Sequence, residues 1–276
     1  MDKSSQALTW RPFLLLGKMQ LLLPLLAFFL LPRAEAGEII GGHEAKPHSR
    51  PYMAYLKIRL EKSKKICGGF LIQEDFVLTA AHCLGSSTST NPLASVYRQI
   101  EVTLGAHNIK EQEDTQQVIR VQKAFPHPDY NRKKRINDIM LLKLEKKAKL
   151  TKAVQLLTLP KRRTEVNPGT RCQVAGWGRL SPRGRPARTL QEVEMVVQMD
   201  KKCEDRFKNY DRATEICVGD PKIKNASFKG DSGGPLVCNN VAQGIVSYGA
   251  KNGTPPGVFT KVSWFLPWIK KTMKQG

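Results

Sequence analysis

Short apolar runs recur along the chain between breaks of Gly, Pro and Asn. They are Met53–Ile58, Gly69–Ile72, Phe76–Thr79, Ile100–Leu104, Gln117–Val121, Ile139–Leu144, Arg171–Ala175, Glu192–Val197, Pro235–Cys238, Gln243–Ser247 and Gly257–Val262. Many short strands at this spacing predict a β-barrel or sandwich. One helix is predicted, from Ser263 as N-cap to about Met273, because Phe265, Leu266, Ile269 and Met273 recur at helical spacing. Leu157–Pro168 has no alternation and is rich in Pro, Lys and Arg, so it reads as a linker between two halves. The run Met19–Ala36 has a different character: Lys18 precedes it and the small residues Ala34 and Ala36 close it. That is the form of a secretory signal peptide. Leu21–Leu31 is too short to span ~30 Å of hydrocarbon, so a membrane anchor is the weaker reading. Segment 1–36 is expected to be signal peptide with a leader extension, Met19 being the effective start, and the mature protein is expected to be secreted and soluble, with no transmembrane segment.

The composition adds an imbalance. Of 276 residues, 45 are Lys or Arg and 24 are Asp or Glu, a formal charge of +21. Residues 39–276 hold +20 of it, concentrated in Arg132–Arg135, Lys143–Lys152, Lys161–Arg163, Arg179–Arg188 and Lys270–Lys274. With 41% hydrophobic residues the chain is ordinary for a globular protein, so the charge points to polyanionic partners rather than to disorder. No zinc-finger spacing, RNA-binding aromatic signature or phosphate-gripping loop accompanies it, which argues against a specific nucleic-acid partner. Six cysteines in a secreted chain predict three disulfides, with fifteen pairings open. They contain no C-x-x-C pair, and His43, His48, His107 and His127 lack ligand spacing, so no metal is expected. Asn225-Ala-Ser and Asn252-Gly-Thr are glycosylation sequons.

Three further segments carry chemistry. In Leu78-Thr-Ala-Ala-His82-Cys83 a strand ends in small residues beside an imidazole. In Asn137-Asp138-Ile-Met-Leu-Leu142 an aspartate opens an apolar strand. In Gly230-Asp231-Ser232-Gly233-Gly234-Pro235 glycines flank a serine, leaving its backbone N–H groups approachable. Singly these read as a core histidine, a turn aspartate and a loop. Together, in the order His, Asp, Ser, they point to nucleophilic catalysis.

From Ile39 onward the chain resembles the chymotrypsin-fold serine proteases. More narrowly it resembles the granzymes and their chymase and cathepsin G relatives. Ile39-Ile-Gly-Gly-His-Glu-Ala-Lys-Pro-His-Ser-Arg-Pro-Tyr-Met53 is similar to the start of granzymes B and H, as are Val102-Thr-Leu-Gly-Ala-His-Asn-Ile-Lys-Glu-Gln112 and Ser227-Phe-Lys-Gly-Asp-Ser232. The resemblance implies an all-β fold of two six-stranded antiparallel β-barrels with a C-terminal α-helix, over 39–156 and 157–276. It implies Ser232 as nucleophile, His82 as base, Asp138 as its orienting partner, and the N–H groups of Gly230 and Ser232 as oxyanion hole. It also implies the bridges Cys67–Cys83, Cys172–Cys238 and Cys203–Cys217. A dipeptidyl peptidase is expected to remove Gly37-Glu38, after which the amino group of Ile39 pairs with Asp231.

Substrate binding is assigned by the same likeness to Ala226, Ser227, Ser247, Tyr248, Gly249 and Gly257, with Lys229 at the pocket mouth. Trypsin-like enzymes have aspartate at the Ala226 position and granzyme B has arginine at the Gly257 position; neither is present. An uncharged slot of this kind favours Phe, Tyr, Leu or Met before the cleaved bond. The rival reading is Asp-directed cleavage aided by Lys229. A reading from another class is a catalytically silent cationic granule protein. The family further implies no cofactor, protein substrates, serpin inhibitors, storage on sulfated proteoglycan in cytolytic granules, and a role in cytotoxic lymphocyte killing. Lys65 is a candidate for preferring an acidic residue beyond the cleaved bond. Relative to granzymes, roughly a dozen extra residues intervene within Thr88–Glu101, on a loop expected to border the cleft.

Overall fold

The computed structural model describes residues 41–60, 63–85, 99–161, 164–223 and 225–275. The expected signal segment, Gly37, Glu38, Ile39 and most of the Thr88–Glu101 insertion lie outside them.

Six antiparallel strands close a first barrel. They are β2 (Met53–Leu60), β3 (Ser63–Gln73), β4 (Phe76–Thr79), β5 (Gln99–Leu104), β6 (Gln117–Pro126) and β7 (Met140–Leu144), hydrogen-bonded around the ring in the order β2-β3-β4-β7-β6-β5. Closure removes free edges. Leu56, Ile58, Phe70, Phe76, Leu78, Val102, Leu104 and Leu141 fill the interior, each almost fully buried. The four residues of β4 are all buried, so this strand shows no polar alternation.

The second sheet holds β1 (His43–Glu44), β8 (Arg171–Gly176), β9 (Gln191–Val196), β10 (Glu215–Val218), β11 (Pro235–Cys238), β12 (Val241–Tyr248) and β13 (Gly257–Lys261), in the order β1-β9-β8-β11-β12-β13-β10. Its far strand returns to β9. The Gln198 N–H donates to the Cys217 carbonyl and the Gly219 N–H to the Val196 carbonyl, both at 2.8 Å. Six strands thereby roll into a second barrel around Val174, Val193, Met195, Val218, Leu236 and Phe259. The two-residue β1 is an addition to the expected six, hung on the outside of β9.

Every run predicted as a strand is one. The terminal helix differs slightly, spanning Val262–Met273 with Lys261 at its N-cap. Ser263 is therefore inside the first turn, not capping it. The helix tolerates Pro267 in its interior, where the ring removes one backbone donor. Its apolar side chains Phe265, Leu266 and Ile269 join the first barrel's core, although the helix follows the second barrel in sequence. A short helix at Lys201–Glu204 was not predicted.

The three disulfides are Cys67–Cys83, Cys172–Cys238 and Cys203–Cys217, as the resemblance implied. Each closes a loop and stabilises by about 2–4 kcal/mol. Among the described residues no helix is long and apolar enough to cross a membrane.

Candidate active site

The site lies where the two barrels meet. β4 ends at Thr79, and the buried Ala80 and Ala81 lead into a 3-10 turn at Ala81–Leu84. Their small side chains let the turn sit against the neighbouring barrel, and the Cys67–Cys83 bridge ties it to β3. His82 is carried on this turn and is only 8% exposed.

Asp138 enters just before β7, after Asn137 in a left-handed conformation with φ +57°. Its carboxylate is fully buried and fully engaged. Oδ1 accepts the His82 backbone N–H at 2.8 Å, and Oδ2 lies 2.7 Å from His82 Nδ1. Ser247 Oγ, from β12, donates to the same Oδ2, and Thr260 Oγ1, from β13, donates to the Asp138 carbonyl. Residues of both barrels therefore fix one carboxylate. With Nδ1–H given to Asp138, the other ring nitrogen is left as the acceptor. Burial works to raise the Asp138 carboxyl, but the His82 ring and the hydrogen bonds from His82 and Ser247 outweigh it and hold it below the ordinary range. Burial lowers His82 from its usual value; Asp138 pulls the other way, and Arg135 and Lys65 add to the lowering.

Ser232 sits on the loop before β11, braced from the first barrel by the Gly68 N–H, which donates to the Ser232 carbonyl at 2.8 Å. Ser232 and His82 border one cavity, and no hydrogen bond joins their side chains among the described residues. Such contacts are often loose before substrate binds. Asp231 shapes the loop. Its buried carboxylate accepts the Gly178 N–H on Oδ1 and the Phe228 N–H on Oδ2, each at 2.8 Å. Only glycine fits at 178, because a Cβ there would lie 2.5 Å from the Asp231 carboxylate. Burial pushes Asp231 up to about 6 against the pull of these two N–H groups. The Lys229 carbonyl takes the Arg179 N–H at 2.8 Å, and Gly230 adopts φ +112°. Among the described residues no protein acceptor takes the N–H of Gly230 or of Ser232. Two free donors beside the serine suit a developing oxyanion.

The cavity has a volume of about 240 Å³. It is bordered by all the expected binding residues: Ala226, Ser227, Lys229, Ser247, Tyr248, Gly249 and Gly257. Ala226 is buried and Lys229 is exposed. A Cβ built on Gly249 meets nothing closer than the Gly257 Cα, at 3.7 Å, so the two glycines face one another across the slot. Sequence reasoning missed Met195, which alternates inward on β9, and the Pro255-Pro256 pair. Of two cations beside the dyad it singled out Lys65 for another role, a preference beyond the cleaved bond, and missed Arg135. Lys65 Nζ, half-buried, donates to the His82 carbonyl at 2.7 Å, and Arg135 Nη1 lies 3.8 Å from Asp138 Oδ2. The only trace of Arg135 in the sequence was its membership of a basic run.

The two sequons differ in setting. Asn252 is exposed in the loop between β12 and β13. Asn225 is half-buried, and its Nδ2 donates to the Glu194 carbonyl.

Comparison with known proteins bears on the chain as a whole. The family model described as Trypsin matches residues 39–269. Human granzyme B is 65% identical over 258 residues, covering 93% of this chain and all of that protein. Human granzyme H is 62% identical over 258 residues, with the same coverage. The solved structure "Structure of GrC" superposes with a TM-score of 0.78 at 57% identity, covering 86% of this chain and all of that one. With a closed barrel, a second barrel beside it, and His82, Asp138 and Ser232 gathered at their junction, the chain belongs to the trypsin family of serine proteases, among the granzymes.

Proposed function

We propose that this chain is an endopeptidase that cleaves after large apolar residues, using Ser232, His82 and Asp138. The observation that carries the reading is one cavity bordered by His82 and Ser232 and extending into an uncharged, glycine-walled slot. His82 takes the proton of Ser232 Oγ as that oxygen attacks the carbonyl carbon. Asp138 holds the ring and stabilises its cation. The N–H groups of Gly230 and Ser232 receive the negative oxygen of the tetrahedral intermediate, each worth ~2.7–4 kcal/mol in the transition state. The bond to nitrogen then breaks, His82 protonates the leaving amine, and water releases the acyl group by the same steps in reverse. The Ser247–Gly249 edge pairs with the substrate backbone as an added strand.

Profiling with a peptide library varied at the residue before the cleaved bond tests this, on protein beginning at Ile39. We expect Phe, Tyr, Leu and Met to lead, and Ser232→Ala to remove all turnover. Preference for Asp would move the assignment to the rival reading, with Lys229 as the recognising cation. No turnover at all would favour the silent granule protein.

Activation follows the trimming route. Segment 1–36 directs secretion, Gly37-Glu38 is removed by a dipeptidyl peptidase, and the Ile39 amino group pairs with Asp231. A buried carboxylate held near 6 calls for such a cation. Serpins would act as inhibitors by presenting a reactive loop to the same cleft. Glycan is assigned first to the exposed Asn252, while Asn225 must be modified before its amide engages Glu194.

The exposed basic runs, including Arg132–Lys134, Lys146, Lys147, Arg183 and Arg185, suit storage on sulfated proteoglycan in a cytolytic granule and delivery in lymphocyte killing. The mature protein is expected to elute from heparin well above physiological ionic strength, ~0.15 M. Elution below it would remove this part of the proposal.

A further inference from the structure

We propose that Lys65 and Arg135 are positioning residues for the His82–Asp138 pair, two fixed cations that favour the neutral, proton-accepting imidazole and extend activity into mildly acidic solution. The inference rests on His82 being the general base.

Arg135 is held with φ +61°, a left-handed backbone that a long side chain adopts only under constraint from its surroundings. Its Nη1 is buried, donates to no partner among the described residues, and stops 3.8 Å from Asp138 Oδ2. That oxygen is already occupied by His82 Nδ1 and Ser247 Oγ, so Arg135 adds charge without adding a hydrogen bond. A buried donor left unpaired is costly and asks for an explanation. Proximity to the dyad supplies one. Lys65 approaches the same pair from β3, with its ammonium on the carbonyl of His82 itself.

A positive charge within a few ångströms of an imidazole disfavours its protonation. Asp138 opposes this, so the balance among fixed charges sets where His82 titrates. The described cations acting on the pair are Lys65 from β3 and Arg135 from the loop preceding Asp138; Arg132 of that loop acts on Lys65, and the neutral Tyr130 phenol, pushed up to about 12, lies near Asp138. Glu215 of β10, raised to about 7 chiefly by burial, is a like charge to Asp138 when ionised. Burial, with Arg135 and Arg132, brings Lys65 down to about 8. Lys65 therefore remains charged across the whole acid range in which His82 gains its proton. The acid limb of kcat/KM reports that protonation in the free enzyme. Both cations displace it toward lower pH.

The test is kcat/KM against pH for processed enzyme beginning at Ile39, with a peptide substrate free of acidic and basic side chains. Arg135→Gln is expected to move the acid-limb midpoint upward by roughly half a pH unit or more at low salt. Lys65→Gln is expected to move it the same way, and Arg135→Lys to leave it near the parent position. The readout is the position of the limb, not the height of the plateau. An unmoved limb in active Arg135→Gln and Lys65→Gln enzymes would overturn the inference. So would an Arg135→Lys limb displaced as far as that of Arg135→Gln, because shape rather than charge would then be acting. A change confined to KM for acidic peptides would make Arg135 a substrate contact instead. Turnover retained in His82→Ala would remove the underlying assignment of the base, a failure separable from the others.

Discussion

Gly257→Arg is expected to reverse the substrate preference. A Cβ at this position has ordinary contacts only, 3.6 Å from the Tyr248 carbonyl and 3.8 Å from the Phe259 ring, so the backbone accepts a side chain here. That side chain must run into the slot toward Gly249. An arginine would occupy much of a cavity of about 240 Å³ and displace a Phe or Leu side chain of the substrate. Losing that burial forfeits about 1.5–3 kcal/mol, so kcat/KM for a Phe peptide should fall roughly a hundredfold. The guanidinium would also sit in a poorly solvated slot without a partner, a state that an incoming carboxylate relieves. Cleavage after Asp should rise correspondingly. The measurement is kcat/KM for two peptides that differ only in Phe or Asp before the cleaved bond. Undiminished Phe cleavage by the variant would show that the apolar side chain binds elsewhere.

Asp231→Asn is expected to abolish turnover while the protein is still secreted and folded. The substitution keeps the volume of a fully buried side chain, so the packing of Gly178 around it survives. Its chemistry does not. The carboxylate accepts from Gly178 and Phe228 at once, and an amide can accept on one side only, turning its NH₂ against the other N–H. The charge that would hold the Ile39 amino group is lost as well. Both changes act on the loop that carries Gly230. Misplacing one oxyanion donor costs 10²–10³ in kcat, and two donors share this loop, so a loss of about a thousandfold or more is expected. Circular dichroism would report the retained fold, and a serine-directed phosphonate the lost reactivity. Normal labelling and turnover would sink the activation scheme.

What the sequence disclosed and what it concealed follow from the range of the interactions involved. Phe76–Thr79 and Pro235–Cys238 were readable to the residue because each is a short apolar run cut off by local breakers. The β1 strand was not, since His43 and Glu44 are polar, exposed, and strand-like only through their register with Glu192 and Gln191. Nor was β10, whose four residues are all buried and show no alternation. Ser263 looked like a cap on local chemistry, yet the helix starts one residue earlier, where the strand β13 hands the chain over at Lys261. The residues around the serine were legible as motifs because close backbone approach needs consecutive glycines. Arg135 was not, and Lys65 was read as a substrate contact rather than as a partner of His82. Each resembles any other surface base until folding brings together segments 17 and 3 positions from the residues they serve.

The terminal helix has a consequence for biosynthesis. Phe265, Leu266 and Ile269 belong to one apolar cluster with the barrel made by the first half of the chain and with Val237, Ala242 and Ile245 of the second half. A nascent polypeptide leaves the ribosome with its early half first, so that barrel must wait, with part of its apolar cluster uncovered, until the last helix has emerged. The half synthesised first is thus among the last to be finished. A protease whose cleft is assembled from both halves cannot cut its neighbours, or itself, before its own translation has ended.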